Sequence, residues 1–362
     1  MFETVSPELT SLITACLDLP KPASTDKLNA VKLQKMLKWH RIRPQYLSYA
    51  HTNQLTFPGQ DLLARESQEI AIINLFLSKE VLRISNAFQN NNILCYAYKG
   101  ILWAQWLYGN FGNREAGDID LLVAPSDFDR ALNILRSDCG YAPDAYRIFL
   151  LNNEDTRRSF FATDYHVLLG REQDSTTVEL HWQVAYPRLD FKLPPGEWAK
   201  YRQRYSILRE DLNGFINEYQ LLLLLVHHGG KEKWSSLKYI ADFAAYMNRY
   251  GHVTDWGKVF KLAKDKGICT LLTWSLGILK GLGMEWKKEW PENIHAEDIG
   301  PFLKNWETMP KQPSNSTLPY LKQSLAVHDG LANKASVAIQ HLKYLSHWKL
   351  IMHKARWYRN NA

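Results

Sequence analysis

The 362-residue chain has only four cysteines, Cys16, Cys95, Cys139 and Cys269, spread far apart. No CxxC pair and no metal-like spacing occurs among them, which excludes a disulfide framework or a cysteine-based zinc site and suits a reducing compartment. Long apolar runs are also missing. The longest, Leu221 to Val226, is six residues, far short of the roughly 20 needed to cross a bilayer. The N-terminal Met1-Phe-Glu-Thr-Val-Ser-Pro7 carries neither the basic nor the apolar region of a secretion signal. The expectation is therefore a soluble, cytoplasmic protein. GxxxxGK[ST], GxGxxG, GxSxG and HExxH are all missing, so the common phosphate-loop, dinucleotide, serine-hydrolase and zincin chemistries have no foothold.

Acidic residues are missing from one stretch. Residues 331–362 hold Lys334, Lys343, Lys349, Lys354, Arg356 and Arg359 and no acid, so they contribute +6 of the net +7 and leave +1 for the other 330 residues. A general nucleic-acid binder spreads basic surface over its core, so no stable nucleic-acid partner is expected. Apolar residues recur in this tail at Ala338, Leu342, Leu345, Trp348, Met352 and Ala355. Packing of that stripe on a helical region, with the lysines in water, is the expectation. A basic amphipathic helix of this kind also suits an anionic membrane surface or nucleic acid.

Hydrophobic residues make up 46% of the chain and charged residues 22%, a globular composition. Residues 1–90 read as helical, with apolar spacing of three and four from Leu28 to Leu37 and from about Leu62 to Asn90, and a loop at Pro20–Thr25. Residues 91–195 form a mixed α/β core and residues 196–362 a helical region with the basic tail. Within the core, Ile93–Ala97 predicts a strand that ends at Lys99-Gly100, and residues 101–108 predict a short helix. Ser126 is the expected N-cap of the next helix, with Asp129 at its capping-box position. Ala145–Leu151, Ser159–Leu168 and Thr176–Trp182 read as strands. After Pro194-Pro195 the pattern reads as helical to the end.

The chemistry concentrates in Asp118-Ile-Asp-Leu-Leu-Val123. Side chains alternate across a strand, so Asp118 and Asp120 share a face. Two carboxylates on one face repel unless a cation lies between them, and Mg²⁺, a hard ion that completes its shell with phosphates, is the simplest one. In Thr176-Thr-Val-Glu-Leu-His-Trp182, alternation sets Glu179 and His181 on one face. If that strand neighbours the first, three carboxylates converge, enough to hold two Mg²⁺ ions, with Mn²⁺ as the alternative. Gly100 permits close approach to a phosphate at a helix N-terminus, and Lys99 or Arg114 adds positive charge. His227 and Lys231, four residues apart, share a helix face that reaches a nucleotide unless Gly229-Gly230 breaks the helix. His181 reads as a satisfied, partly buried histidine.

In this order, the residues resemble the nucleotidyltransferase fold of the DNA polymerase β superfamily: glycine in a strand-to-helix turn, Asp-hydrophobic-Asp on a strand, then a single acid on a later strand. More narrowly, Tyr98-Lys-Gly100, Arg114, Gly117-Asp-Ile-Asp-Leu-Leu-Val123, Gly140-Tyr141, Val178-Glu-Leu-His-Trp182 and His227-His-Gly-Gly-Lys-Glu-Lys-Trp234 resemble a bacterial group of uncharacterised nucleotidyltransferases, over about residues 60–250. Two features depart from the superfamily pattern: Ile101 follows Gly100 where a second Gly or a Ser is usual, and the interval to Asp118 is longer. The resemblance implies an α+β fold with a mixed sheet flanked by N- and C-terminal helical regions. It implies that Asp118, Asp120 and Glu179 bind metal, and that Glu179 draws the proton from an acceptor hydroxyl. Lys99, Gly100, Arg114, His227 and Lys231 would then face the nucleotide. A nucleoside monophosphate, AMP from ATP, would move to a small-molecule or protein acceptor. The alternative is a fold that has lost its chemistry and serves as a protein-interaction module.

Overall fold

The computed structural model describes residues 5–20, 25, 27–311 and 317–361. Its centre is a five-stranded mixed sheet in the order β1-β2-β5-β4-β3, with helices flanking it. The strands are β1 Cys95–Ala97, β2 Ile119–Val123, β3 Ala142–Pro143, β4 His166–Arg171 and β5 Thr176–His181. Only β2 and β5 run parallel, in a register that sets Asp120 opposite Glu179.

Alternation divides this sheet between two cores. Ile119, Leu121 and Val123 of β2 and Val178 and Leu180 of β5 point to one side. There they meet Leu77, Val81, Ile84 and Phe88 of the helix Gln60–Asn90 and Ala131 and Leu135 of the helix Phe128–Ser137. The other side carries Asp120, Glu179 and His181. It faces the larger core, built by N-terminal helices and by those that follow the sheet. The polar residues thus end up between sheet and helices, the one layer boundary where a cleft can form.

Several local expectations fail for identifiable reasons. Ala145–Leu151 is no strand but part of the helix Ala145–Asn152, started by Asp144, whose carboxylate accepts from the Arg147 N–H at 2.8 Å. Ser159–Leu168 is divided: Asn153 caps the helix Glu154–Thr163, and β4 begins only at His166. Ser126 caps nothing. It lies in a 3₁₀ turn, Pro125–Asp127, and the α-helix begins at Phe128 without a side-chain cap. Asp129 pairs instead with Arg157 at 2.6 Å.

The stretch after Pro195 is not wholly helical either. Strands β6 Arg202–Ile207 and β7 Glu210–Phe215 form a hairpin beside β1, where Asn213 donates to the Cys95 carbonyl at 3.3 Å. Its two-residue loop, Leu208-Arg209, has φ of 50° and 72°. Such loops are normally marked by Asn-Gly or Asp-Gly, so nothing in the sequence announced this one. The tail stripe is also misjudged: Leu342, Leu345, Trp348 and Met352 are exposed, not packed. Of the loop expected at Pro20–Thr25, residues 21–24 lie outside the described residues. No described helix is long and apolar enough to cross a membrane.

One buried histidine ties an N-terminal helix to two segments that follow the sheet. His40, at the end of the helix Ala30–His40, donates from Nε2 to the Trp306 carbonyl at 2.8 Å and accepts the Leu237 N–H on Nδ1 at 3.2 Å. That arrangement needs the neutral ring, and burial lowers its pKa to about 4 against the opposing pull of the Trp306 carbonyl. The unfolded chain takes up a proton below about pH 6.5, whereas the folded ring stays neutral until the pH approaches the lowered value. Stability contributed by this site is therefore full above neutrality and falls as pH drops through that window. In denaturant titrations from pH 7 to pH 4.5, wild type should lose roughly 1.4 kcal/mol per pH unit more steeply than His40→Gln. Parallel slopes would exclude the clamp as the titrating element.

Candidate active site

Lys99 closes the end of β1, and the helix Gly100–Tyr108 begins directly after it. Gly100 has φ +50°, and a Cβ there would sit 2.9 Å from the Asp118 carbonyl oxygen. Glycine is thus required twice, by backbone sign and by contact. The turn brings Lys99 over the two central strands. Its ammonium lies 2.6 Å from Asp120 Oδ1 and 3.7 Å from Glu179 Oε2. Burial alone would lower the Lys99 pKa, but Asp120, then Tyr98 and Glu179, more than reverse this and hold it well above the ordinary range. For Glu179, burial opposes ionisation, yet Lys99 and the His181 hydrogen bond keep its pKa well below the usual carboxylate value.

His181, fully buried, joins the same two acids. Its Nε2 lies 3.1 Å from Asp120 Oδ1 and 3.0 Å from Glu179 Oε2. Ionised carboxylates only accept, so Nε2 carries the proton, and Nδ1, 3.3 Å away, accepts from the Tyr98 hydroxyl. The ring is more than a satisfied core residue: it fixes the spacing of the pair. His166, opposite His181 on β4, places Nε2 3.7 Å from Glu179 Oε1.

Asp118 stands apart. Among the described residues it alone of the three acids makes no ion pair, and its pKa is raised by the Asp120 carboxylate, then by burial and Glu179. Three carboxylates face one ammonium, so the group lacks positive charge. The acids open into a cleft of about 330 Å³, and Arg41, Lys231, Lys238 and Lys311 also line it. A carboxylate floor facing basic walls suits a metal-bound polyphosphate. The fit to a hard divalent ion is good at Asp118 and Asp120, which offer oxygen donors to the cleft. It is poorer between Asp120 and Glu179, where the Lys99 ammonium already sits. His166, Glu179 and His181 also bring ligand atoms within 4.8 Å of one another.

The remaining expected residues all border the cleft, in different ways. Arg114 is buried, with Nε 3.0 Å from Asp242 Oδ1, Nη2 2.9 Å from Oδ2, and Nη1 3.2 Å from the Gly100 carbonyl. Its guanidinium braces the Lys99-Gly100 turn from behind. Gly229-Gly230 does not break the chain's helical course: a π-helical turn, Val226–Lys231, continues the helix Asn217–Leu225. A Cβ on Gly230 would collide with the Phe191 ring, so that glycine serves packing. His227 Nδ1 lies 2.9 Å from His228 Nδ1, and His228 Nε2 3.0 Å from Asp242 Oδ2. Lys231 keeps its ammonium 3.1 Å from Glu232.

Three contributors carried little sequence signal. Arg41 comes from the N-terminal region, remote in sequence from every motif. Lys238 follows the turn after Lys231; burial, then Arg114 and Arg41, hold its pKa well below the lysine range, and it donates to the Glu115 carbonyl at 2.7 Å. Asp242 lies one turn beyond Lys238 on the helix Leu237–Tyr250. In the structure it accepts from Tyr108, Arg114 and His228 at once.

A family model described as uncharacterised nucleotidyltransferase matches residues 26–282, well over half of the chain. The chain belongs to that family. The match includes every residue of the acid cluster and its Lys99 partner, and it stops before the basic tail. A solved antigenic nucleotidyltransferase-like protein from Paracoccidioides brasiliensis is similar at 14% identity over 58% of this chain and 92% of that one. Its TM-score of 0.29 is too low to bear on the fold. No curated protein matches the chain.

Within this family member, Asp242→Ala should be among the most damaging single changes. It strands a buried Arg114 and unseats His228, with an expected loss of about 3–5 kcal/mol in unfolding free energy. Gly100→Ala should cost about 1–3 kcal/mol from backbone strain and the Asp118 contact. Equilibrium denaturation measures both; a near-neutral Asp242→Ala would show that the cluster does not brace the fold.

Proposed function

We propose that the protein is a metal-dependent nucleotidyltransferase that moves a nucleoside monophosphate, AMP from ATP, to a hydroxyl of a small-molecule or protein acceptor: the acceptor oxygen bonds to the α-phosphorus, the α–β phosphoanhydride breaks, and pyrophosphate leaves. The observation that carries this reading is that Asp118 and Asp120 line the same cleft as Arg41, Lys231 and Lys238. Asp118 and Asp120 would hold a Mg²⁺, which when bound would supply neutralisation of charge on the transferring phosphoryl group. The Lys99 ammonium takes the place that a second ion would occupy, between Asp120 and Glu179. Glu179, kept ionised by Lys99 and His181, takes the role of the base that accepts the proton of the acceptor hydroxyl. His181 orients it and holds Asp120 in register. Arg41 and Lys231 draw the triphosphate into the cleft, and the free N–H groups at the start of the helix Gly100–Tyr108 add donors. Family membership supports nucleotide transfer as the reaction class; the near-neutral charge outside the tail favours an acceptor other than a long polyanion.

Calorimetric titration of the four NTPs with and without Mg²⁺ tests this reading. Wild type should bind one of them, ATP by preference, only with the metal. Asp118→Asn should remove metal-dependent binding and lower turnover about a hundredfold or more, while circular dichroism and thermal midpoint stay near wild type. Full turnover in Asp118→Asn would overturn the metal assignment. Metal-dependent NTP binding with no transfer to any acceptor would instead favour the retired, partner-binding form of the fold.

A further inference from the structure

The helix Gly330–Ser346 buries one large aliphatic residue and exposes four. Its inward face carries Val337 and His341, and Tyr344 lies under the Arg188 guanidinium at 4.4 Å. Its outward face carries Leu331, Ile339, Leu342 and Leu345, with exposures of 87%, 52%, 67% and 44%. At about 100° per residue, these four lie within one sector of about 120°, and Lys334 and Lys343 flank it on opposite sides. The next helix, Trp348–Asn361, turns Leu350 inward and leaves Trp348 and Met352, one turn apart, in water. Beside it, Phe149 stacks on His353 at 4.6 Å and is itself partly exposed. Single exposed apolar residues are ordinary, but a contiguous stripe on a helix that is otherwise well anchored is a binding surface. The anchoring is specific: His347 meets Ser159 at 3.1 Å, Lys354 pairs with Asp164, and Asn333 accepts from Lys192 at 2.8 Å.

We propose that these two C-terminal helices dock the protein on an anionic lipid surface. Charge and shape select this occupant. Residues 331–362 carry six cations and no acid, and an aliphatic stripe flanked by lysines and followed by a tryptophan is the composition that lies in a membrane interface. A second copy of the chain would bring two such cationic surfaces together. A nucleic acid would satisfy the lysines but leave Leu331, Ile339, Leu342 and Leu345 without a role, since phosphate tracking uses charge and stacking rings. The surface lies beyond the residues that the family model matches, so it adds a location to the protein and does not depend on the transferase reading.

Co-sedimentation of the full-length protein with vesicles tests the proposal. Wild type should pellet with phosphatidylcholine vesicles that contain phosphatidylglycerol and stay in solution with phosphatidylcholine alone, and added salt should weaken the binding. Ile339→Asp/Leu342→Asp, both on the exposed face, should reduce partitioning roughly tenfold or more with an unchanged thermal midpoint. Lys334→Gln/Lys343→Gln should reduce it at low salt and matter little at high salt. Metal-dependent NTP binding should be the same in these variants as in wild type, which separates this test from that of the active site. Failure of wild type to pellet with anionic vesicles overturns the proposal, as does wild-type partitioning by the aspartate variant. A dimer in sedimentation velocity that the aspartate variant dissolves, without vesicle binding, would assign the stripe to a second copy. Pelleting with homopolymer RNA but not with vesicles would assign it to nucleic acid.

Discussion

The ammonium of Lys99, 2.6 Å from Asp120 and 3.7 Å from Glu179, is the contact around which the sheet is organised. β2 and β5 are the only parallel neighbours, and their register puts two carboxylates side by side on a face largely shielded from water. Without a cation that register would be repelled, and one strand would slip or lose its acid. Lys99 makes the pairing tolerable, and His181 divides its proton between the same two oxygens. Because one ammonium does not balance three carboxylates, the arrangement remains receptive to a further cation at Asp118. The feature that holds the two strands in register is therefore the same one that leaves an unbalanced carboxylate facing the cleft.

Behind this cluster a second charged centre ties the helical layer to the sheet. Asp242, on the helix Leu237–Tyr250, receives Arg114 from the loop ahead of β2 and His228 from the π-helical turn. Arg114 in turn reaches the Gly100 carbonyl. A chain of contacts thus runs from His227 through His228, Asp242 and Arg114 to the turn that holds Lys99. Lys99, Arg114 and Lys238, which border the cleft, are each positioned by a buried partner. This explains why Arg114, which in sequence reads as a phosphate ligand, is committed to a carboxylate.

The residues most legible in sequence were those whose chemistry is short-range. Asp118 and Asp120 share a face because strands alternate, and Gly100 must be glycine because its backbone turns left-handed beside Asp118. Elements were misread where local pattern and cap disagreed. Ala145–Asn152 is apolar enough for a strand, but Asp144 starts a helix. The β6–β7 hairpin turns through two positive-φ residues, Leu208 and Arg209, with no glycine to mark it in the sequence. The C-terminal stripe was visible as a period, and its direction was not: periodicity reports that one face differs from the other, never which of them meets the protein.

By itself, the sequence determined the spacing of the three acids, the glycine ahead of them, the family likeness these carry, and the concentration of positive charge in the last 32 residues. These depend on residue type and spacing within one or two elements, where geometry is nearly constant. Only the tertiary structure decided that Lys99 pairs with the acids, that Asp242 claims Arg114, that Arg41 and Lys238 join the cleft, and that the tail turns Leu331, Leu342 and Leu345 outward. Each of those outcomes depends on which distant element is close enough to desolvate a charge or cover an apolar side chain, and chain spacing carries no record of that.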